Sequence, residues 1–363
     1  FKYKLFYVSS IKRIANDYFF HPLLILSLRW PTHSCPTLRA WLGSAGYQRG
    51  TKDRSYSLAA DTSRIKEVQS RVLLKDKISL SNLTIDKLGP YLAGLWEGDG
   101  HISNLKKTEN DKLNPYLAIT FPIKDLPLVN YLQELLGGSI RRKEKENALV
   151  LTIASRKELL TLVQLMNGYL RTPKIFEFNK LIEWLNNCNK LEIVQHSEDN
   201  SDLGTNGWLA GFFDADGSFK VRYTEKVVDL NSKKVKRKGR IEVRIAIEQR
   251  KFHAKSGKPF EPIMKSISEF FTVKLNTSRH NVDKDYWIIE VTSLFKLDKF
   301  VSYLNKYPLL TSKKNDYKDW FIVYSLITLN EHLTKEGKLK IKFIKNQMNR
   351  KRSNFDWWKT HLK

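Results

Sequence analysis

The sequence predicts an α+β protein in which one unit, αββαββα, is used twice in tandem with pseudo-symmetry. Three observations predict it. Regular apolar periodicity begins near Leu83 and follows that order of elements. After a polar stretch the same order starts over. At the head of each unit stands one short motif, LAGLWEGDG from Leu92 to Gly100 and LAGFFDADG from Leu209 to Gly217.

In the first unit a helix is expected over about 87–98, then strands over about 101–105 and 116–123. The run LPLVNYLQELLGG reads as a helix closed by Gly137 and Gly138. Strands follow at GSIRRK and ALVLTIA, and helices at RKELLTLVQLMNG and IFEFNKLIEWLNN. The polar stretch NCNKLEIVQHSEDNSDLGTNG reads as a linker, which sets the halves at 83–187 and 206–330 with 188–205 between them.

The second unit repeats the order through GWLAGFFDADG, the strands SFKVRY and RIEVRIAIEQ, the helix PFEPIMKSISEFF, the strands TVKLNTSRH and DYWIIEVTS, and the helix LFKLDKFVSYLNKY. A last helix is expected at DYKDWFIVYSLITLNEHL. RTPKIFEF corresponds to LTSKKNDY, which aligns Lys174 with Lys313. Asp216 lies 117 residues after Asp99, and Lys313 lies 139 after Lys174. The difference falls on two basic insertions, TEKVVDLNSKKVKRKGR and KFHAKSGKP.

The chain carries 63 Lys and Arg against 38 Asp and Glu, a net charge of +25 over 363 residues. Such an excess predicts a polyanionic partner, nucleic acid before a membrane surface, with a basic secreted protein as the alternative. Two cysteines, Cys35 and Cys188, are too few for a disulfide framework and point to a reducing compartment. The longest apolar run is short and broken by His21 and Pro22, which argues against a membrane span. Residues 1–82 form a leader of unclear structure. Its first 20 residues are basic and hold one acid, Asp17, as in an organellar targeting segment, and a start at Phe1 equally suits a fragment or the continuation of an upstream reading frame. His33 and Cys35 alone do not make a metal site.

Small residues four apart, Gly94 with Gly98 and Gly211 with Ala215, put a low face on each motif helix. Packing those faces together brings Asp99 and Asp216 to one point, where two carboxylates meet two negative helix ends. A hard divalent cation offsets that repulsion, and oxygen-ligated metal pairs hydrolyse phosphodiesters. An acid pair in a basic chain therefore reads as a nuclease. Period-two alternation places Lys220 and Arg222, and Arg240, Glu242 and Arg244, on the charged faces of two strands suited to a DNA major groove. Arg141 and Arg142 are the basic residues of the first half assigned to the same role. The charge run SKKVKRKGR reads as a hairpin tip on phosphates or as a solvated loop.

At these residues the chain resembles the LAGLIDADG homing endonuclease and intron maturase family in its single-chain, two-motif form, over about 85–330. The resemblance implies two antiparallel sheets forming a saddle over DNA, with the motif helices at the interface. It implies that Asp99 and Asp216 bind Mg²⁺, for which Mn²⁺ substitutes, assisted by the carbonyls of Gly98 and Ala215. Glu97 and Asp214 become supporting acids, and Lys174, Lys313 and Gln249 join the catalytic set near the scissile phosphates. In the first half Lys124 or Asp125 lies nearest to the position of Gln249. Trp96 and Glu97 depart from the family's pattern and leave the metal-binding acid intact. The implied activity is that of a monomeric, intron-encoded, site-specific double-strand DNA endonuclease in the mitochondrion, or alternatively the chloroplast. An RNA maturase assisting its own group I intron is the alternative function. The basic tail 331–363 has no counterpart in the family, and a solvated, frayed end is expected there over an amphipathic helix contacting nucleic acid.

Overall fold

The chain divides into a unit at Phe1–Gln69 and a unit at Ser70–Lys363. The computed structural model describes residues 85–105, 114–229, 234–281 and 284–352, without the side chains of 85–87, 189, 281 and 284. The leader, the tip of the longer insertion and the last 11 residues lie outside the described residues.

The first half runs α1 (Ile85–Asp99), β1 (Gly100–Ser103), β2 (Tyr116–Pro122), α2 (Leu126–Leu136), β3 (Ser139–Lys143), β4 (Ala148–Ile153), α3 (Arg156–Met166) and α4 (Ile175–Asn189). The second runs α5 (Trp208–Asp216), β5 (Gly217–Thr224), a small hairpin of β6 (Val227–Val228) and β7 (Val235–Arg237), β8 (Arg240–Arg250), α6 (Glu261–Phe270), β9 (Asn276–Asn281), β10 (Lys284–Val291), α7 (Leu294–Lys306) and α8 (Lys313–Thr328). Both halves form an antiparallel four-stranded sheet, ordered β1-β2-β4-β3 and β5-β8-β10-β9. The second repeats the strand order of the first. The small hairpin grows from the longer insertion, and its two strands pair with each other as a separate sheet.

Alternation decides what each sheet buries. Phe219 opposite Ile245 and Val221 opposite Val243 face the helices, while Lys220 opposite Arg244 and Arg222 opposite Glu242 face away. Behind the second sheet, Phe213, Phe219, Phe300 and Trp320 form a continuous aromatic cluster. Trp96 packs on Phe178 in the first half.

The halves meet along α1 and α5. A Cβ on Gly94 would stand 2.0 Å from the Trp208 carbonyl oxygen, and one on Gly211 would stand 2.0 Å from that of Tyr91. Backbone touches backbone at both points, so only glycine fits.

Three boundaries differ from the sequence reading. β9 starts at Asn276 instead of Thr272, because α6 closes with Thr272 at φ 55° and a hydrogen bond from Val273 N to Ser268 O. The last helix of the second half starts at Lys313, three residues early, and stops at Thr328. The expected frayed tail is instead a helix, α9 (Lys335–Gln347), whose Thr334 hydroxyl caps the Gly337 N–H at 2.9 Å. Ile341, Ile344 and Met348, spaced three and four apart, are buried against the second half, which is what keeps the tail folded.

The helix contact gives a direct stability test. Gly94→Ala and Gly211→Ala each have to push two backbones apart, and each is expected to cost about 1–3 kcal/mol in urea unfolding. A variant as stable as the wild type would contradict the close approach.

Candidate active site at the paired helix ends

α1 and α5 end at Asp99 and Asp216, and the next residue of each opens a strand. A Cβ on Gly98 would meet the Ala215 Cβ at 2.1 Å and Asp216 Oδ2 at 3.3 Å, so the two helix ends adjoin across this glycine. Gln249, at the end of β8, donates from Nε2 to Asp216 Oδ2 at 2.8 Å. The site residues expected at this point therefore stand together. The equivalent position of the first half carries no such amide: the register that pairs Gly217 with Ile247 and Gly100 with Ile119 puts the buried Phe121 where Gln249 stands. Asp125, one of the two expected counterparts, is buried and accepts from Ser312 N at 2.7 Å, with Lys124 beside it in the chain. The expected first-half equivalent of Gln249 is corrected accordingly: a core phenylalanine occupies its place.

The earlier acids are structural anchors. Glu97 accepts from Thr172 N and Oγ1, both at 2.6 Å, from Arg171 N, and from Trp208 Nε1 of the opposite motif helix at 2.6 Å. Asp214 accepts from Leu310 N at 2.8 Å, from Thr311 N and Oγ1, and from the Tyr91 hydroxyl at 2.6 Å. Each acid thus fastens the loop before its own half's last helix and crosses the interface to the other half's aromatic donor. The pair Tyr91 and Trp208, 117 residues apart like the acids, escaped the sequence reading, although that same offset marks it. Arg171 also secures the linker, through Asp199 and the Ser201 carbonyl oxygen, both at 2.6 Å.

The two lysines sit at the helix ends. Lys174 Nζ donates to Gly98 O at 3.0 Å and Gly100 O at 2.7 Å. Lys313 Nζ donates to Ala215 O at 3.1 Å and Phe213 O at 2.9 Å. Each ammonium also lies 5.8 Å from an aromatic ring at an equivalent motif position, Trp96 or Phe213. The cations meet the negative ends of both macrodipoles at their last carbonyls.

Electrostatics at this point run against ionised acid. Burial first, and the charge of Asp99 second, push the Asp216 carboxyl up to about 7. Asp99 opens to solvent, yet desolvation by the surrounding protein still raises it against the opposing pull of Lys313 and Lys174. Burial lowers both lysines, and the carboxylates partly restore them. A site that resists its own negative charge fits a hard divalent cation. Its donors are all oxygens, and the Gly98 and Ala215 carbonyls keep a second lone pair beside their lysine bonds. Among the described residues no cluster of three or more His, Cys, Asp or Glu exists to cage a metal. A cation held here would need oxygens from water or substrate to complete its shell.

The outer face of the second sheet carries the expected charges in paired form. Arg222 and Arg240 hold Glu242 at 3.5 and 2.5 Å, while Arg244 and Lys220 hold Glu290 at 3.0 and 3.9 Å. Pairs at the surface are worth at most about 1 kcal/mol each, and the arginine and lysine ends here are partly open to solvent. Glu290 was not among the expected residues. In the first half, Arg141 lies opposite Val150 and Arg142 opposite Leu149. Successive residues point to opposite faces, so the expected Arg141 and Arg142 pair cannot read one groove together.

The sequence model of the LAGLIDADG endonuclease family matches residues 92–185 and 209–324. The chain is 32% identical to the intron-encoded DNA endonuclease aI3 of Saccharomyces cerevisiae over 315 residues, 77% of this chain and 74% of that protein. It is 30% identical to a cox1 intron-2 protein of Schizosaccharomyces pombe, over 70% of this chain and 71% of that one. Among solved structures, the I-LtrWI LAGLIDADG homing endonuclease bound to target DNA aligns with a TM-score of 0.56 at 19% identity, over 74% of this chain and all of that one. The I-SmaMI enzyme bound to cleaved DNA aligns at 0.54 with 20% identity, over 75% of this chain and 99% of that one.

Burial pushes Asp125 up to about 6, above its unfolded value near 3.9. The native state then binds the extra proton, so this group's contribution to stability is greatest at low pH and is lost as pH rises through 6. Asp125→Asn is expected to remove about 1 kcal/mol from the fall in unfolding free energy between pH 5 and pH 8. Urea titrations of both proteins at the two pH values measure it, and equal slopes would contradict the assignment.

Proposed function

Because this chain belongs to the LAGLIDADG endonuclease family, we propose that it is an intron-encoded, site-specific double-strand DNA endonuclease with one composite active site at the ends of α1 and α5. The observation that carries this reading is the meeting of Asp99 and Asp216 at the paired helix ends, each with a lysine from its own half on the adjoining carbonyls.

In this reading Asp99 and Asp216, with the carbonyls of Gly98 and Ala215, hold Mg²⁺, and Mn²⁺ substitutes. When bound, the metal activates water and stabilises the leaving oxygen of a phosphodiester. Lys174 and Lys313 compensate charge at the phosphates, and Gln249 orients the Asp216 carboxylate through its 2.8 Å bond. Glu97 and Asp214 keep the geometry fixed without touching substrate. The outer faces of the two sheets hold the duplex, and the second half contributes most of the charge. Both halves of the site lie in one chain, so a monomer suffices. Relatives named for introns, one of them for a cox1 intron, support an organellar setting, for which we take the mitochondrion over the chloroplast.

A second reading has one specific observation behind it. Over 161 residues the chain is 28% identical to the intron-encoded RNA maturase bI4 of Saccharomyces cerevisiae, 44% of this chain and 23% of that protein. Binding of the protein's own group I intron RNA would be a role beside cleavage or in place of it.

Incubating the purified protein with Mg²⁺ and intronless or intron-containing DNA of the host gene separates the readings. Cutting of the intronless form alone is expected, and splicing assistance without cutting would decide for the maturase. Asp99→Asn and Asp216→Asn should each reduce cleavage on the order of a thousandfold while leaving DNA binding in place. Full activity in either variant would remove the composite site.

A further inference from the structure

Three residues beyond each lysine lies a buried acid, Glu177 on α4 and Asp316 on α8, separated by the same 139 residues as the lysines themselves. They are held by unrelated pieces of chain. Glu177 accepts from Lys255 Nζ at 2.7 Å and His253 Nε2 at 3.0 Å, both in the shorter insertion of the second half. Asp316 accepts from Asn349 N at 2.8 Å and Arg352 Nε at 3.3 Å, in the tail that follows α9.

Both pieces then make the same second contact. Lys255 Nζ donates to Ile102 O at 2.7 Å, and Asn349 Nδ2 donates to Phe219 O at 3.1 Å. Ile102 and Phe219 are 117 residues apart, the offset of Asp99 and Asp216, and each lies three residues beyond its metal-site acid. Each piece therefore ties the first turn of the helix at whose start the lysine stands to the strand that leaves the acid, an edge strand of its sheet. The tail does so although it lies outside the family match, which ends at residue 324.

We infer that Lys255 with His253, and Arg352 with Asn349, are two equivalent clamps made from non-equivalent sequence, each positioning one lysine against one acid. Neither clamp touches substrate; both act through the helix they hold. Because the acids serve opposite strands in the endonuclease reading, on which the strand readout rests, each clamp sets the rate on one DNA strand. The tail is then a working part of the second half-site.

The test uses the full chain with Lys255→Gln and with Arg352→Gln, and reads amide hydrogen exchange together with single-turnover cleavage of a duplex labelled on each strand. Arg352→Gln is expected to speed exchange over residues 312–317 and leave 173–178 unchanged, and Lys255→Gln to do the reverse. Each variant should slow one strand about tenfold, a different strand in each case, so that nicked product accumulates. Equal slowing of both strands, the same strand slowed by both variants, or unchanged local exchange would overturn the clamps. A variant that loses protection throughout β8 has unfolded globally, and the exposed Lys255 site then carries the test alone. If the wild type cuts neither strand, the endonuclease reading has failed, and hydrogen exchange by itself still decides whether the clamps exist.

Discussion

Two carboxylates at the C-terminal ends of two helices, brought together at one point, are the constraint around which this molecule is arranged. Helix ends expose carbonyls and carry negative partial charge, so Asp99 and Asp216 stand where acid is least welcome. The glycines that let α1 and α5 touch backbone to backbone intensify the conflict, since side chains of ordinary size would have kept the ends apart. Much of the neighbouring structure answers it. Lys174 and Lys313 bind the last carbonyls, Glu97 and Asp214 fix the loops that deliver those lysines, and the Asp216 carboxyl is still raised, by burial first and by the charge of Asp99 second.

Much of this was legible in the sequence because it depends on periodicity and repetition. The motif pair gave the helix interface through Gly94 and Gly211, and the 117-residue offset put Asp99 against Asp216. Alternation gave the charged face through Lys220, Arg222 and Arg244. What escaped depends on contacts between distant segments. Tyr91 and Trp208 escaped because only the fold shows their donors reaching across the interface. Phe121 in place of Gln249 follows from strand register, and a basic residue count does not carry that information. Arg141 and Arg142 looked equivalent in composition and fall on opposite faces. The tail failed for a different reason: its basic residues mask a short apolar stripe, and three buried side chains with one capping threonine suffice to fold it.

The halves are alike in path and unlike in chemistry. The second sheet presents a lattice of arginine and glutamate, held by weak surface pairs, while the first sheet presents little charge in the corresponding places. The second half also supplies the Gln249 amide on Asp216, where the first supplies the ring of Phe121. A pseudo-twofold frame thus carries an asymmetric surface.

The crossed bonds at the interface have a bearing on how such a molecule can change over generations. Each supporting acid draws a donor from the opposite helix, Glu97 from an indole and Asp214 from a phenol. If two identical copies of one ancestral unit had been joined, donor and acid would have matched automatically. Once the copies drift, a new aromatic in one half has to suit the acid of the other. The two halves inherit as a unit at this seam, and exchanging one of them for a foreign counterpart means carrying the donor and its distant acceptor together.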